Sequence, residues 1–585
     1  MINIKDLRQL QFIDPWSDIS PRKKKILDSS WPGLFQKEIL PVLPVLKFSK
    51  SYSSKRGRKS KELHAMLGTL ILQQQFDLTD EETVGHYIFD ERWQYALNRY
   101  EKTEDSEYMC LKTLWSIRDA ASRENIDVEI FSYSTGKLAE AFNVDPDFQR
   151  QDSVHIKSNM RKLSRMNICA NAIRKFLKNF KRHHKDSFSQ IDKELVDKYL
   201  PKKAFQCFAR VKPSEAKKTL AVVAEDLYAL IQWFKSMKTV TSMRTYKPLE
   251  RIFSEQFIVK ESGGKQTIEA KKSKEVASDS LQNPSDPDAT YSGHKGQGYQ
   301  VQIMETFCKD QEKKSETLNL ITHVEVEQAH KSDVHALIPA IESTEKLGLK
   351  PKEALVDEGY SSDDNVEKAK EHGVEVVTPV KGSSKKDHIN LSAFSMNSKG
   401  KIKKCPKNKK PIKVKRKKRF SAAFDLNVCG SCPNLGNCPV EKGKKYFYLR
   451  YAKKDIRIAF RRQYEETDEF KDRYRWRSGV EATMSEFDRR TGVKQLRVRG
   501  FRAVRFAATL KAAGLNILRA AAVRKARKKA EVLAATGNVS LKQRISSVLS
   551  VKERLKSTFC RFKQKFNVYF CGSGSWSTIQ ANSSF

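Results

Sequence analysis

The run from Lys399 to Arg419 is the feature that most limits how this chain of 585 residues can fold. It holds thirteen Lys or Arg residues and no acid, and side chains so densely charged cannot be buried together in a hydrophobic core. The run indicates a basic insert at 383–453 that lies between parts of the chain with apolar cores. Such a run is usually a solvated, mobile arm, and the interpretation that we favour is a clamp on the backbone of a polyanion.

The charge of the whole chain points to a polyanionic partner. Lys and Arg number 111 against 70 Asp and Glu, a formal net charge of +41, and nucleic acid is the commonest partner of so basic a protein. The 39% of apolar residues is too much for a wholly disordered chain. No run of about 18 uncharged apolar residues is present, no signal peptide follows Met1, and ten cysteines are too few for a disulfide scaffold. We therefore expect a cytoplasmic protein without membrane association.

The N-terminal part, 1–125, reads as a helical DNA-binding domain. Leu63, Leu67 and Leu70 form one apolar stripe of a helix that begins near Ser60. Thr79 and Glu82 have capping-box spacing and predict the start of a second helix. Basic residues stand just before the first helix, so we expect DNA contacts from Arg56, Arg58 and Lys59. The alternative is a helical subdomain that only packs on the rest of the protein.

The middle of the chain alternates between strand and helix signals, which predicts a mixed α/β fold. We expect the first part of an α/β core at 126–160, a helical insert at 161–285 and the rest of the core at 286–382. Beyond the basic insert, helix resumes at Lys454 and is expected to run to about Ala530 with one break near Gly492, which makes 454–530 a helical segment. Residues 531–585 form a basic tail rich in Ser and Gly. The expected strands are at 151–157, 299–303, 318–326, 354–357 and 374–380.

Two acids and one helix stand out as candidate chemistry. Asp357 ends an apolar strand, where open sheets present their active-site groups, and Asp152 lies in another possible strand. Helical spacing places Tyr474, Arg477 and Glu481 on one face. Taken singly, a strand-end Asp is also a common turn former, and Arg477 with Glu481 is also a common surface ion pair.

Four cysteines form a second candidate site within the basic insert. Cys405, Cys429, Cys432 and Cys438 supply the number of thiolates that a structural Zn²⁺ takes. Only one C-x-x-C pair is present, so unliganded reduced thiols remain the alternative.

Three stretches together resemble the catalytic blocks of bacterial insertion-sequence DDE transposases. They are Asp152-Ser-Val-His-Ile-Lys-Ser-Asn-Met, Val356-Asp-Glu-Gly-Tyr360 and Tyr474-x2-Arg477-x3-Glu481. The third resembles the tyrosine-arginine-glutamate signature of the cut-and-paste branch. The segment from Ser54 to Asn98 is similar to the N-terminal domain of a large subgroup of that branch. One departure is that position 488, where the signature usually has Lys, is Asp, with Arg489 and Arg490 beyond it.

The resemblance implies a ribonuclease-H-like mixed sheet with the first catalytic acid on its first strand. Asp152 fits that place, and Asp286 or Asp288 is the alternative. Asp152, Asp357 and Glu481 would hold Mg²⁺ or Mn²⁺, the hard cations that carboxylates favour. The DNA backbone would be contacted by Tyr474, Arg477, Arg489 and Arg490, and clamped by the basic run.

The expected activity is metal-dependent cleavage of double-stranded DNA at terminal inverted repeats, followed by strand transfer into target DNA. The resemblance further implies a homodimer on DNA and association with the nucleoid. Two alternatives stay open: a catalytically inactive protein that only binds the repeats, and a nuclease that does not transfer strands.

Overall fold

The computed structural model describes residues 2–7, 9, 12, 14–53, 59–160, 162–201, 208, 211–262, 265–382, 388–416 and 418–535. Residues 1–523 group into one compact unit, and a second unit begins at Arg524.

The N-terminal part is helical, as predicted. The stripe helix begins at Leu63, where the Glu62 carboxylate accepts a hydrogen bond from the Ala65 amide. The capping box of Thr79 and Glu82 is also confirmed, because both of its hydrogen bonds are present. The helices are α1 (Pro21–Ser29), α2 (Trp31–Leu34), α3 (Val45–Ser49), α4 (Leu63–Gln75), α5 (Asp80–Phe89), α6 (Glu91–Ala96), α7 (Glu104–Glu107), α8 (Leu111–Arg123) and α9 (Ile126–Phe142).

Strand β1 (Phe148–Lys157) is followed by an insert with its own apolar core. The helical prediction for this region is confirmed, and Ile173, Phe176 and Leu230 are buried as their spacing indicates. A β-hairpin that the sequence pattern did not predict closes the insert. The elements are α10 (Arg165–His183), α11 (Lys185–Phe188), α12 (Lys193–Tyr199), α13 (Ala216–Phe234), α14 (Lys238–Thr241), α15 (Lys247–Gln256), β2 (Phe257–Ser262) and β3 (Lys265–Ala270).

The central mixed sheet confirms the α/β prediction. Beyond β1 its elements are β4 (Thr290–Ser292), β5 (Gly296–Thr306), β6 (Ile321–Gln328), α16 (Leu337–Lys346), β7 (Glu353–Leu355), α17 (Asp363–Glu371) and β8 (Glu375–Val377). The strands follow the order β4–β5–β1–β7–β8, and β6 also pairs with β5. Strand β5 is antiparallel to β1 and β6, whereas β1, β7 and β8 are parallel. Strand β6 begins at Ile321, later than expected, because Leu318 and Leu320 are buried in the core of the N-terminal helices.

The basic insert is folded around an apolar core, which rules out the alternative of a wholly solvated arm. Part of the Lys399–Arg419 run forms strands, and the Lys and Arg side chains of β11 are exposed. A strand needs only one buried face, so Phe420, Phe424 and Phe447 build a small core on the neighbouring strands while the basic side chains stay in water. The elements are β9 (Ser395–Met396), β10 (Ile402–Lys404), β11 (Lys413–Arg416), β12 (Phe420–Phe424), α18 (Leu426–Gly430), β13 (Glu441–Lys442) and β14 (Phe447–Tyr451).

The C-terminal helical segment contains more breaks than the one predicted. It consists of α19 (Lys453–Glu465), α20 (Asp468–Tyr474), a 3-10 turn at Arg475–Ser478, α21 (Gly479–Thr491) and α22 (Phe501–Ala535). The apolar side chains Val480, Phe487 and Leu515 pack on one face of β1 and β5. Other α22 side chains, including Phe506 and Leu510, complete the core of the N-terminal helices.

Helix α22 is the one described helix that is long and apolar enough, over Phe501–Val532, to cross a membrane. Lys511 and Arg519 interrupt its sequence, and 78% of its most apolar window is buried inside the protein. A buried core helix passes the same test of length and composition.

Candidate active site

Asp152 and Asp357 lie level on adjacent parallel strands. Strands β1 and β7 pair in parallel, and the last pair in their register joins Arg150 to Leu355. Both acids lie two residues further along, Asp152 within β1 and Asp357 just past the end of β7. Two acids more than 200 positions apart therefore meet at the carboxyl end of β7, where open sheets present functional groups.

Arg477 joins these two acids to Glu481. Its Nη2 atom lies 2.8 Å from Asp152 Oδ2 and 3.8 Å from Asp357 Oδ2. Its Nη1 atom lies 3.2 Å from Glu481 Oε1. The side chains become more exposed across the group, from 17% for Asp152 through 36% for Asp357 to 70% for Glu481. The three carboxylates thus surround one guanidinium group, with Asp152 innermost and Glu481 at the rim.

Tyr474, Arg477 and Glu481 do not share one helix, so the predicted continuous helix is wrong. Tyr474 ends α20, Arg477 lies in the 3-10 turn and Glu481 is in the first turn of α21. The break has a physical cause, because Arg150 Nη1 donates a hydrogen bond to the Trp476 carbonyl at 2.9 Å. A Cβ atom on Gly479 would come within 1.9 Å of that same Nη1, so a larger residue here would displace the Arg150 guanidinium.

A buried carboxylate fixes this turn against the sheet. Glu305 on β5 is fully buried and faces Arg150 across the strand pair. It accepts hydrogen bonds from Arg150 Nε, Arg519 Nη1 and Thr483 Oγ1, each at 2.8 Å. One side chain therefore ties β1 and β5 to α21 and α22. The only sequence signal for this network was an acid near the end of β5, and it was not recognised from the sequence.

Burial raises the pKa of Asp152, and the carboxylates of Asp357 and Asp333 raise it further. The Arg477 guanidinium and the Ser153 amide act in the opposite direction. Burial likewise raises the pKa of Tyr474 to about 12, and its ring stacks on Phe470 with centroids 5.3 Å apart. Tyr474 is therefore a neutral hydroxyl beside the acids at neutral pH.

Asp333 and Lys295 border the group and were also missed by the sequence reasoning. The Asp333 carboxylate accepts a hydrogen bond from Gln302 Nε2 at 2.8 Å and lies 3.7 Å from Lys295 Nζ. Lys295 Nζ in turn donates to Ser153 Oγ at 2.8 Å. Neither residue lies in a recognisable motif, because their proximity depends on the pairing of the strands.

Asp286 and Asp288, the alternatives for the first acid, are engaged elsewhere. Asp286 is buried and accepts hydrogen bonds from the Tyr299 hydroxyl at 2.5 Å and the Gly500 amide at 3.2 Å. Asp288 accepts from the Phe501 amide at 3.1 Å. Both carboxylates hold the start of α22, where amide groups lack partners within the helix.

Of the predicted DNA-contacting residues away from the acids, some lie outside the described residues and the others are exposed. Arg56 and Arg58 lie outside the described residues. Lys59, Arg489 and Arg490 are exposed, and Arg490 Nε forms an ion pair with Glu486 at 2.9 Å. These three side chains are open to a partner in solvent.

The four cysteines of the insert line one small cavity. Cys405, Cys429, Cys432 and Cys438 surround a space of about 30 Å³, and all are free thiols. Burial raises the pKa of Cys429 to about 11, and the three other sulfurs contribute to the increase. The Lys409 amide donates a hydrogen bond to Cys405 Sγ at 3.4 Å.

Neither cluster forms a ready-made metal site. Within the described residues, no group of three or more His, Cys, Asp or Glu side chains stands in an arrangement that could hold a metal ion as it is. The two groups of side chains nonetheless offer different donor atoms, which favour different metal ions. The three carboxylates around Arg477 are hard oxygen ligands suited to Mg²⁺ or Mn²⁺, and the four thiols suit Zn²⁺.

Comparison with known protein families gives two matches. Residues 401–521 match the family described as a transposase DDE domain. Residues 32–118 match the family described as a transposase domain, DUF772. The first match includes Glu481 and the cysteines, and neither match includes Asp152 or Asp357. No curated protein matches the chain.

Two separate parts of the chain thus match transposase families, and one of these parts carries the candidate glutamate. DDE transposases cleave DNA at terminal repeats and transfer strands. The chain is an insertion-sequence DDE transposase.

Proposed function

We propose that Asp152, Asp357 and Glu481 are the catalytic acids of this transposase and bind Mg²⁺ or Mn²⁺. The observation that carries the proposal is that Asp152 and Asp357 lie level on parallel strands while Arg477 joins both to Glu481. The three carboxylates have few other contacts in the fold. They converge at a place where a phosphodiester can approach from solvent. When bound, two divalent ions would activate the attacking hydroxyl and stabilise the leaving oxygen.

The sheet order supports a ribonuclease-H-like core. If the short β4 is set aside, the strands run β6–β5–β1–β7–β8 across the sheet, with β5 antiparallel to β1. The strand of the first acid is therefore central, with the second and third strands on one side. The proposed domain division follows the predicted boundaries, because the insert after β1 and the basic insert each have their own apolar cluster.

The residues around the acids would position DNA. Arg477 and Tyr474 present a guanidinium and a neutral hydroxyl beside the acids, and both can donate hydrogen bonds to phosphate oxygens. We assign the chain to the tyrosine-arginine-glutamate branch on this arrangement. Arg489, Arg490, Lys59 and the exposed basic side chains of β11 would contact the backbone further away, in a homodimer bound to terminal repeats in the nucleoid.

We further propose that Cys405, Cys429, Cys432 and Cys438 hold a structural Zn²⁺. The support is their convergence on one cavity from separate turns and the small apolar core of the insert, since small cores commonly need a metal or disulfide for stability. Zn²⁺ would require the sulfurs to deprotonate, and its charge would lower the raised pKa values of Cys429 and Cys438.

The test of the proposed reaction is a product analysis. The full chain is incubated with Mg²⁺, a labelled duplex from the DNA that flanks its gene and a supercoiled plasmid. Joined products support the transposase mechanism. Cleavage without joining would instead favour a nuclease without strand transfer, and retention of uncut duplex would favour an inactive repeat-binding protein.

A further inference from the structure

The Arg477 guanidinium lies between the three candidate acids. Its two terminal nitrogens contact carboxylate oxygens of Asp152, Asp357 and Glu481, at distances between 2.8 and 3.8 Å. The side chain is only 17% exposed. Its Nε atom is buried and has no hydrogen-bond partner among the described residues. The guanidinium is therefore placed by the three acids and is not anchored by a second set of contacts through Nε.

In the free protein, the Arg477 guanidinium offsets the repulsion between the three carboxylates. Asp152, Asp357 and Glu481 carry like charges and, with Asp333 nearby, would repel each other without a cation between them. Arg477 supplies that cation, but it engages Asp152 Oδ2 while the Ser153 amide donates to Asp152 Oδ1, so neither oxygen is left free for a divalent ion. Both cations cannot occupy the same space or bind the same lone pairs.

We propose that Arg477 is a stand-in cation that must leave Asp152 before divalent ions bind, and that a DNA phosphate draws it away. This inference rests on the proposed function of the three acids. A phosphate offers the guanidinium a bidentate partner of the same charge as the carboxylate it leaves. DNA binding and metal binding are then thermodynamically coupled, so each strengthens the other by the same factor. The enzyme would be loaded with metal chiefly when DNA is present.

The neighbouring Arg475 provides a matched control. It lies in the same 3-10 turn, its side chain is 63% exposed, and its ion pair is with Asp472 at 3.2 Å. No contact joins it to the three acids among the described residues, so its removal changes the charge of the turn without opening the carboxylate cluster.

The experiment measures Mn²⁺ binding to the full chain by electron paramagnetic resonance, with and without a duplex from the DNA that flanks the gene. We expect DNA to tighten Mn²⁺ binding by the wild type about tenfold or more. Arg477→Gln should bind Mn²⁺ about tenfold more tightly than the wild type in the absence of DNA, with little further gain from DNA. Arg475→Gln should behave as the wild type, and Arg477→Lys should fall between the two.

Thermal unfolding of each variant in parallel verifies that it is folded. If Arg477→Gln does not fold, the comparison is made with Arg477→Lys instead. The inference is overturned if the folded Arg477 variants bind Mn²⁺ no more tightly than the wild type, or if DNA tightens binding equally in all of them. Asp357→Asn separates this failure from failure of the proposed function. If Asp357→Asn leaves Mn²⁺ binding unchanged, the acids are not the metal site and both proposals are wrong.

Discussion

Asp357 stands level with Asp152 because the strand that ends before Asp357 is paired in parallel with the strand that carries Asp152. The two carboxylates share the Arg477 guanidinium, at 2.8 and 3.8 Å from the same Nη2 atom. This arrangement depends on strand register, since a slip of one residue would turn one of the acids to the other face of the sheet.

The first prediction separates Asp152 from Asp286. Asp152→Asn should abolish cleavage and joining, because a neutral amide is a poor ligand for a divalent ion, and should change the free energy of unfolding little. Asp286→Asn should lower the free energy of unfolding by about 1–3 kcal/mol, since its buried oxygens accept three hydrogen bonds. The measurements are a joining assay at low temperature and urea unfolding. Joining by Asp152→Asn, together with loss of joining by a stable Asp286→Asn, would show that Asp286 is the first acid.

The second prediction concerns the buried Glu305. Glu305→Ala leaves the buried Arg150 guanidinium without a counter-charge and leaves Arg519 with Glu486 alone, so we expect the free energy of unfolding to fall by about 3–5 kcal/mol. Glu325→Ala on the neighbouring strand is the control, because that side chain is 45% exposed, and it should change stability by about 0.5 kcal/mol or less. Equal losses for both variants in urea unfolding would show that the Glu305 network contributes little.

The third prediction concerns the cysteines. The purified full chain should contain about one zinc ion, and Cys432→Ser should lose it because a hydroxyl is a much weaker zinc ligand than a thiolate. Cys308→Ser is the control, since Cys308 lies outside the insert. Elemental analysis by mass spectrometry makes the measurement. Equal zinc content in the wild type and in Cys432→Ser would argue against the site.

The fourth prediction is a pH dependence of stability from His323. This side chain is buried on β6, and burial lowers its pKa from 6.5 to about 4. The unfolded chain takes up a proton below about pH 6.5 and the folded chain does not until about pH 4. His323 therefore removes up to about 3 kcal/mol of stability as the pH falls through that window. Urea unfolding from pH 7 to pH 4.5 should show a shallower decline for His323→Gln than for the wild type, and parallel curves would contradict this account.

Local patterns in the sequence predicted local structure well. The capping box at Thr79 and the alternating strand at 299–303 follow from neighbours a few residues apart, and both are confirmed. No strand was predicted within the basic run, because its charge obscured the short strand Lys413–Arg416, which needs only one apolar position to face the small core of the insert.

Contacts between residues far apart in the chain could not be predicted from the sequence. The break between Tyr474 and Glu481 is caused by Arg150, more than 300 positions away, and no helix propensity of the segment indicates it. The Glu305 network joins four elements and becomes visible only once strand register is known. The three acids stood out by their strand and helix context and were grouped by resemblance to a family, whereas their common contact with Arg477 required the structure.

The central claim, that Asp152, Asp357 and Glu481 hold divalent ions, is tested most directly by replacing Mg²⁺ with Fe²⁺. In the presence of peroxide, a bound iron ion generates hydroxyl radicals that cut the nearby polypeptide, and mass spectrometry locates the cuts. With DNA bound, the account predicts cuts clustered around these three residues that Mg²⁺ suppresses and that Asp357→Asn eliminates. Cuts elsewhere in the chain, or an identical pattern in Asp357→Asn, would contradict it.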